Sequence, residues 1–500
     1  MAGSISEFYK GKNVFITGGS GFIGRVLIEK LLRSCPDIGN IYVLIRRKKG
    51  IDIWERVDEL VNVPLFQILR DTFPENLKKI IPIEGDCMSL RLGLSDADYQ
   101  ILEDNVNIVF HIAASVRFDD PIGKATILNV RGTREIMLLA KKIKNLKVLI
   151  HVSTMYCNCD KKVVEEKFYP PPADWRKFIE LVETSDNYTL EIIQQKITGA
   201  LPNTYLFTKA LAEHVVKDLA ENLPVVIIRP SIVTDTWCDP LPGWIDNWNG
   251  VIGITISSAK GILRSTYLKD GGKTNLDCIP CDYTVRVICA AAWDTAKSKE
   301  YGEPIIYNVT AFKNMFVNIK DMVEIGSVIT EKKPLQNTIW VPRRTITQIK
   351  IVHIINVLLF QLIPAILLDQ ILKWNGHKPI LASIQRKIWR ALNAVEYFNC
   401  TEWTFKHDRT IRLNKQLGPN DNAFNIEVFK ELTMEERIDR TIAGVRKYLL
   451  KETQSDEENR KQLNRLKLLE KVLLTVFSIF VIWLLYRYDF YEYIISFKSQ

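Results

Sequence analysis

Through the first half of the chain, short apolar runs recur at residues 13–17 (NVFIT), 41–47 (IYVLIRR), 80–86 (IIPIEGD), 106–114 (VNIVFHIAA), 147–154 (KVLIHVST) and 224–233 (PVVIIRPSIV). Each is apolar on consecutive positions rather than alternate ones, the pattern of a strand covered on both faces. Most are separated by stretches whose apolar residues return at helical spacing, as in RVLIEKLLRS at 25–34. This alternation predicts a doubly wound α/β domain, with a parallel sheet and helices on both of its faces.

Between 157 and 202 the rhythm breaks. YPPPADW, a stiff proline stretch, leads into the helical KFIELVE and LEIIQQKI. An insertion there overhangs the carboxyl ends of the strands and reads as a substrate lid, or as a spacer loop. The pattern changes again after the first domain, expected at 1–345. Residues 349–373 (IKIVHIINVLLFQLIPAILLDQILK) are strongly apolar but carry His353, Asn356, Gln361 and Pro364. Polar groups are costly in lipid, so the expectation is an interfacial or core helix pair bent at Pro364. Residues 346–450 read as a helical C-terminal domain and 451–467, opening with KETQSDEENRKQ, as a polar linker. The stretch 468–488 (LLEKVLLTVFSIFVIWLLYRY) runs about 15 residues without charge from Val472 to Tyr486, short of the ~20 of a full span. Trp483, Tyr486 and Tyr488 flank it as an interfacial belt does, so it reads as a membrane anchor. Arg460, Lys461, Arg465, Lys467 and Lys471 precede it, and Arg487 and Lys498 follow. That asymmetry predicts a cytosol-facing bulk and a short far-side tail at 489–500.

Composition narrows the function classes. A chain of 500 residues exceeds one ordinary core. Its net charge of +9 is spread among acids rather than gathered in a stripe, which argues against a nucleic-acid partner and for anionic membranes or phosphates. The nine cysteines follow no framework spacing and the first residues, MAGSISEFYK, hold no apolar signal core. A reducing compartment is expected. The pairs Cys157/Cys159 and Cys278/Cys281 have none of the six histidines beside them. They read as buried thiols, not as a metal site.

The first strand run is followed by Thr17-Gly18-Gly19-Ser20-Gly21-Phe22-Ile23-Gly24 and then a helix. Glycines there allow a tight turn and close backbone approach, and the helix N-terminus meets a pyrophosphate, so a dinucleotide site of Rossmann type is predicted. The second strand ends in Arg46-Arg47 with no acid. Arginine accommodates a 2′-phosphate, so NADP(H) is expected over NAD(H), with solvated arginines as the alternative. Asp86, at the end of the third run, is placed to bond an adenine amino group or to cap a helix. Tyr205 and Lys209, four apart in NTYLFTKALAE, share a helix face. A phenol titrates near ~10, and a nearby ammonium lowers it toward use as an acid. Taken alone this is a common surface pair. It follows a strand ending in Ser153-Thr154, however, whose hydroxyls can hold a carbonyl oxygen where charge develops.

With these segments the chain resembles the extended short-chain dehydrogenase/reductase superfamily and, more closely, the fatty acyl-CoA reductases. The matching stretches are KNVFITGGSGFIGRVLIEKLLR, VFHIAASVRFDDPI, NVRGTREIMLLAK, HVSTMYCN, the PPP insertion, LPNTYLFTKALAE, VVIIRPSIV and GWIDNWNGVIG. They span residues 8 to about 255, and the family's helical C-terminal domain is similar through about 450. The resemblance implies that Tyr205 and Lys209 are the catalytic pair, with Thr154 as hydroxyl partner and Ser153 as runner-up. It implies cofactor contacts from Thr17, Gly18, Gly21, Phe22, Ile23, Gly24, Arg46, Asp86, Ala113, Ala114 and the adjoining Ser115, with Arg229-Pro230 near the nicotinamide and Asn129 in the superfamily's asparagine position. The implied reaction is NADPH-dependent reduction of long-chain acyl-CoA to a primary alcohol by a membrane-anchored enzyme facing the cytosol. The endoplasmic reticulum is the expected membrane and the peroxisome the alternative. A membrane-tethered dehydrogenase of a sterol or lipid alcohol is the competing reading.

Overall fold

The computed structural model describes residues 3–48, 50–297, 302–431 and 433–487. Seven parallel strands form the main sheet: Val14–Thr17 (β1), Ile41–Ile45 (β2), Ile80–Glu84 (β3), Ile108–His111 (β4), Val148–Val152 (β5), Val225–Pro230 (β6) and Ile305–Val309 (β7). Their order across the sheet is β3-β2-β1-β4-β5-β6-β7, as expected of a doubly wound α/β domain. The first six occupy the apolar runs. The order in which successive strands are added reverses between β1 and β4, which opens a crevice at their carboxyl ends where ligands bind in such sheets. In register, Thr17 lies beside His111 and His111 beside His151, so three polar side chains form a row across β1, β4 and β5.

Separate apolar clusters cover the two faces of the sheet. A third gathers around the helix Thr204–Leu219, which follows the 157–202 insertion. That insertion is itself helical. Trp175–Thr184 buries Trp175, Phe178, Ile179 and Val182 in this third cluster, whereas Asn187–Thr198 buries only Leu190.

The chain divides into two compact units. The first comprises Met1–Asn247, Lys273–Ile319 and Asn393–Leu449, and the second Trp248–Gly272, Lys320–Leu392 and Leu450–Gln500. The helical segment 346–450 is thus shared between them. Its later part joins the sheet unit because Thr404–Phe405 pairs in parallel with Val163–Val164. Arg409 donates to the Ile306 carbonyl of β7 and Thr410 to that of Asn308.

Within the second unit, Lys350–Trp374 is one helix, with a π turn at Leu358–Leu362 just ahead of Pro364. The wider turn absorbs the carbonyl that proline leaves without a donor, so the expected helix pair is continuous. Asp456–Arg487 is a single helix of 32 residues. Ser455 and Glu458 exchange capping hydrogen bonds at its start, which makes the expected linker helical from Asp456 onward. Tyr488, Lys498 and the tail 489–500 lie outside the described residues.

Candidate active site

The glycine turn is built by crowding. Gly18 has φ +75°, and a Cβ there would sit 2.7 Å from the Ala113 nitrogen. One on Gly24 would meet the Gly18 carbonyl and lie 2.7 Å from the Gly19 Cα. Gly21 caps the helix Phe22–Ser34 and donates to the Gly18 carbonyl at 2.9 Å. The first-turn amides of this helix therefore face the crevice beside β4, a cradle suited to a pyrophosphate. Phe22 stacks on Trp244 at 5.3 Å, and Ile23 packs against the core. Thr17 is buried, with its hydroxyl 2.7 Å from His111 Nδ1 and 3.4 Å from the Ala113 amide.

Arg46 is exposed at the end of β2 and Asp86 is half-buried after β3. Asp86 Oδ1 accepts from the Met88 amide at 2.9 Å, so it caps a turn rather than a helix. Both charges act on the Cys87 thiol, Asp86 raising its pKa and Arg46 lowering it, beneath the larger rise from burial. Arg47 turns to Glu84 at 3.5 Å. Ala113 and Ala114 follow β4, and the adjoining Ser115 backbone is clamped by Asn129: the Ser115 amide donates to Oδ1 at 2.8 Å and Nδ2 donates to the Ser115 carbonyl at 3.2 Å. Asn129 Nδ2 also reaches Thr208 Oγ1 at 2.9 Å, on the helix that carries Tyr205. The asparagine sits in a π turn, Ile127–Arg131. It ties the turn after β4 to that helix.

Asn203 caps the helix Thr204–Leu219 through the Leu206 amide. Within its first two turns it brings Tyr205 to the end of β5. The Thr154 side chain lies close enough to act on the Tyr205 phenol, and its hydroxyl accepts from the Tyr156 amide at 3.3 Å and lies 3.5 Å from the Pro230 carbonyl. Ser153 points the other way, toward Cys157 Sγ at 3.9 Å and the carboxylate of Glu213. Of the two hydroxyls it is thus Thr154 that meets the phenol. Burial raises the Tyr205 pKa, Cys157 adds to the rise and Thr154 opposes it. Lys209 is not among the causes. Its ammonium donates to the Val152 carbonyl at 2.6 Å and approaches His151 Nε2 at 3.4 Å. Burial brings Lys209 down to about 8, with Glu213 and Cys157 opposing. The expected lowering of the phenol by the ammonium is therefore absent in this geometry, and desolvation sets the direction.

Arg229 is fully buried and turned into the core. Its Nε and Nη2 grip both oxygens of Glu213 at 2.9 and 2.6 Å, and Nη1 donates to the Glu165 carbonyl at 3.2 Å. Three of the five N–H donors of the guanidinium are engaged in this way. The position of Arg229 in the chain was legible, and the direction of its side chain was not. For Glu213, burial alone would raise the pKa, but Arg229 outweighs it and the carboxylate is held low.

Several neighbours were not singled out from the sequence. His111 and His151, with rings 5.2 Å apart, run from Thr17 to Lys209. Burial lowers both pKa values, that of His111 to about 3, and both imidazoles are neutral at pH 7. Phe118 stacks on Tyr205 at 5.9 Å and meets Phe398 at 5.7 Å, while Phe398, Trp403 and Phe405 surround Tyr156. Tyr205 thus stands beside an apolar aromatic wall. Glu213, four residues beyond Lys209 on the same helix, carried a signal in its spacing. The aromatic wall carried none. Cys157, Cys159, Cys278 and Cys281 are buried free thiols.

Two family models, both described as male sterility protein, match this chain: an NAD-binding one over residues 16–288 and a second over residues 360–452. Fatty acyl-CoA reductase 1 of Homo sapiens is 39% identical over 467 residues, 93% of this chain and 90% of the relative. The chain belongs to the fatty acyl-CoA reductase family. Fatty acyl-CoA reductase wat of Drosophila melanogaster is 38% identical over 96% of this chain and 92% of its own length. Among solved structures, the terminal reductase domain of the myxalamid biosynthetic pathway shares 19% identity with a TM-score of 0.59, covering 87% of this chain and 90% of that one. A reductase domain of a non-ribosomal peptide synthetase from Mycobacterium tuberculosis shares 17% with a TM-score of 0.56, over 90% and 94%. These likenesses show the fold. For this fatty acyl-CoA reductase family member the glycine cradle and the NAD-binding match together indicate a nicotinamide cofactor.

Proposed function

We propose that this chain reduces long-chain fatty acyl-CoA to the primary alcohol and free CoA, using two NADPH. The observation that carries the reading is the nearness of Thr154 and Tyr205 at the end of β5, beside an aromatic wall and in the same sheet as the glycine turn after β1. Gly18, Gly21 and the first turn of Phe22–Ser34 would hold the cofactor, with Arg46 for the 2′-phosphate and Asp86 for the adenine. When bound, it would supply hydride to the carbonyl carbon, once to the thioester and once to the aldehyde.

Thr154 and Tyr205 donate to the carbonyl oxygen as charge develops on it, and Tyr205 transfers its proton there. The first addition gives a hemithioacetal, which collapses to aldehyde as the CoA thiolate leaves and takes up a proton. In the second round Tyr205 again protonates the oxygen, giving the alcohol. Lys209, charged below about 8, supports recharging of the phenol. Phe118 and Phe398 present apolar surface to an acyl chain, and the 157–202 insertion acts as the substrate lid. The apolar helix Asp456–Arg487 anchors the enzyme to a cytosol-facing membrane, where long acyl chains partition.

The test is CoA release and alcohol formation from palmitoyl-CoA with NADPH. A sterol or lipid-alcohol dehydrogenase releases no CoA. Tyr205→Phe is expected to abolish alcohol formation while NADPH binding stays within about twofold; full activity in that variant refutes the assignment.

A further inference from the structure

The helix Lys350–Trp374 is built inside out. Its polar residues His353, Gln361 and Asp369, with Ala365, fall on one face and are buried. Each has a partner in the second unit. His353 Nδ1 lies 3.0 Å from Ser265 Oγ, and its ring stacks on Trp389. Gln361 Oε1 accepts from the Arg264 amide at 3.2 Å, and Asp369 accepts from the amides of Ile380, Leu381 and Ala382, each at 2.9 Å. The opposite face carries Ile351, Ile355, Leu359, Phe360, Leu367 and Ile371, each between 46% and 61% exposed. An apolar face of this extent on a soluble surface needs a partner.

Two observations identify that partner as lipid and set the helix orientation. Arg264, whose amide holds Gln361, also places its guanidinium 3.2 Å from Glu470, which Trp340 Nε1 contacts at 3.0 Å. Immediately after Glu470 the second helix becomes apolar and exposed on all sides, through Val472, Phe477, Ile479 and Ile482. One residue thus pins the middle of Lys350–Trp374 to the point where the anchor leaves the folded unit, so the apolar face and the membrane surface meet there. The chain also returns. A single crossing by Lys350–Trp374 would put Thr404–Phe405 on the opposite side of the bilayer from Val163–Val164, yet these strands are hydrogen-bonded neighbours in one compact unit.

We infer that Lys350–Trp374 lies in the plane of the bilayer surface, its Ile351–Ile371 face sunk among the acyl chains and its His353–Asp369 face holding the protein. Lys350, Lys373 and Lys378, exposed at and beyond its ends, reach anionic headgroups. The inference does not depend on the proposed reaction.

The test uses the full chain made in the presence of phosphatidylcholine vesicles containing one fifth phosphatidylserine, with a carbene photolabel dissolved in the hydrocarbon. Label is expected on Ile351, Ile355, Leu359, Leu367 and Ile371 and not on His353, Gln361 or Asp369. No label between 350 and 374 means that protein covers the face, and label on every side means a span; either overturns the inference. In endoplasmic reticulum microsomes, the acceptor sequences Asn187-Tyr188-Thr189 and Asn399-Cys400-Thr401 report the topology independently. The same state at both is expected, and modification of Asn399 alone overturns the in-plane reading.

Discussion

Replacing Arg229 by methionine separates a structural role from a cofactor role. Arg229→Met removes two charge-assisted hydrogen bonds, at 2.9 and 2.6 Å, and leaves the Glu213 carboxylate buried opposite a thioether. The two side chains are 0% and 4% exposed, so solvent screens neither. Breaking a buried pair by deleting one partner costs ~3–5 kcal/mol, most of it the stranded charge. For a unit of this size that is a fall of about 4–7 °C in melting temperature. Removing the stranded charge as well, in Glu213→Met/Arg229→Met, should recover at least ~2 kcal/mol, since apolar pairs of similar volume replace buried ion pairs with little loss. The assay is paired: thermal unfolding of both variants beside the parent, and NADPH titration by fluorescence on the folded protein. Cofactor affinity is expected to change less than threefold in either variant. A single variant that melts with the parent, or one that loses NADPH affinity without recovery in the double, refutes the structural reading and returns Arg229 to the cofactor.

Three further outcomes follow from the site. Thr154→Val should lower kcat by about 10²–10³, the cost of one donor at a developing oxyanion, while Ser153→Ala lowers it far less; equal losses in single-turnover assays count against the Thr154 geometry. Lys209 binds its proton more weakly folded than unfolded, so it is charged below about 8 and neutral above. Accordingly kcat/KM should fall toward tenfold per pH unit above that value, and folding stability should rise with pH between about 8 and the ordinary lysine value of ~10.4; a rate flat to pH 9.5 contradicts it. Gly24→Ala forces a methyl onto the Gly18 carbonyl and 2.7 Å from the Gly19 Cα. It should destabilise by ~1–3 kcal/mol and weaken NADPH binding more than tenfold, both read by titration and melting.

The sheet was legible because strands covered on both faces leave continuous apolar runs. β7 was not, since Tyr307 and the buried Asn308 interrupt Ile305–Val309 and Asn308 instead bonds the Val164 and Lys406 carbonyls. That Tyr205 and Lys209 share one helix face after the strand ending in Ser153-Thr154 was legible from spacing. Which of Ser153 and Thr154 faces the phenol was not, because neighbouring positions on a strand end differ only in side-chain direction. The direction of the Arg229 side chain was hidden for the same reason. Phe118 and Phe398 meet across most of the chain, and no local pattern encodes that contact. The division into two units was hidden too, because the second unit is assembled from three separated segments.

The pairing of Thr404–Phe405 with Val163–Val164 has a consequence for synthesis. Phe424, Ile426 and Phe429 belong to the same core cluster as β1 and β2, so that face of the sheet lacks part of its cover until the ribosome has passed residue 429. At ~5–20 residues per second, the interval after β7 is on the order of ten seconds. The apolar helix at 350–374 emerges within that interval, ahead of the segments that complete the sheet unit. Early capture of that helix at a membrane surface shields its apolar face, and lying in the plane it leaves both ends of the nascent chain on one side, free to close.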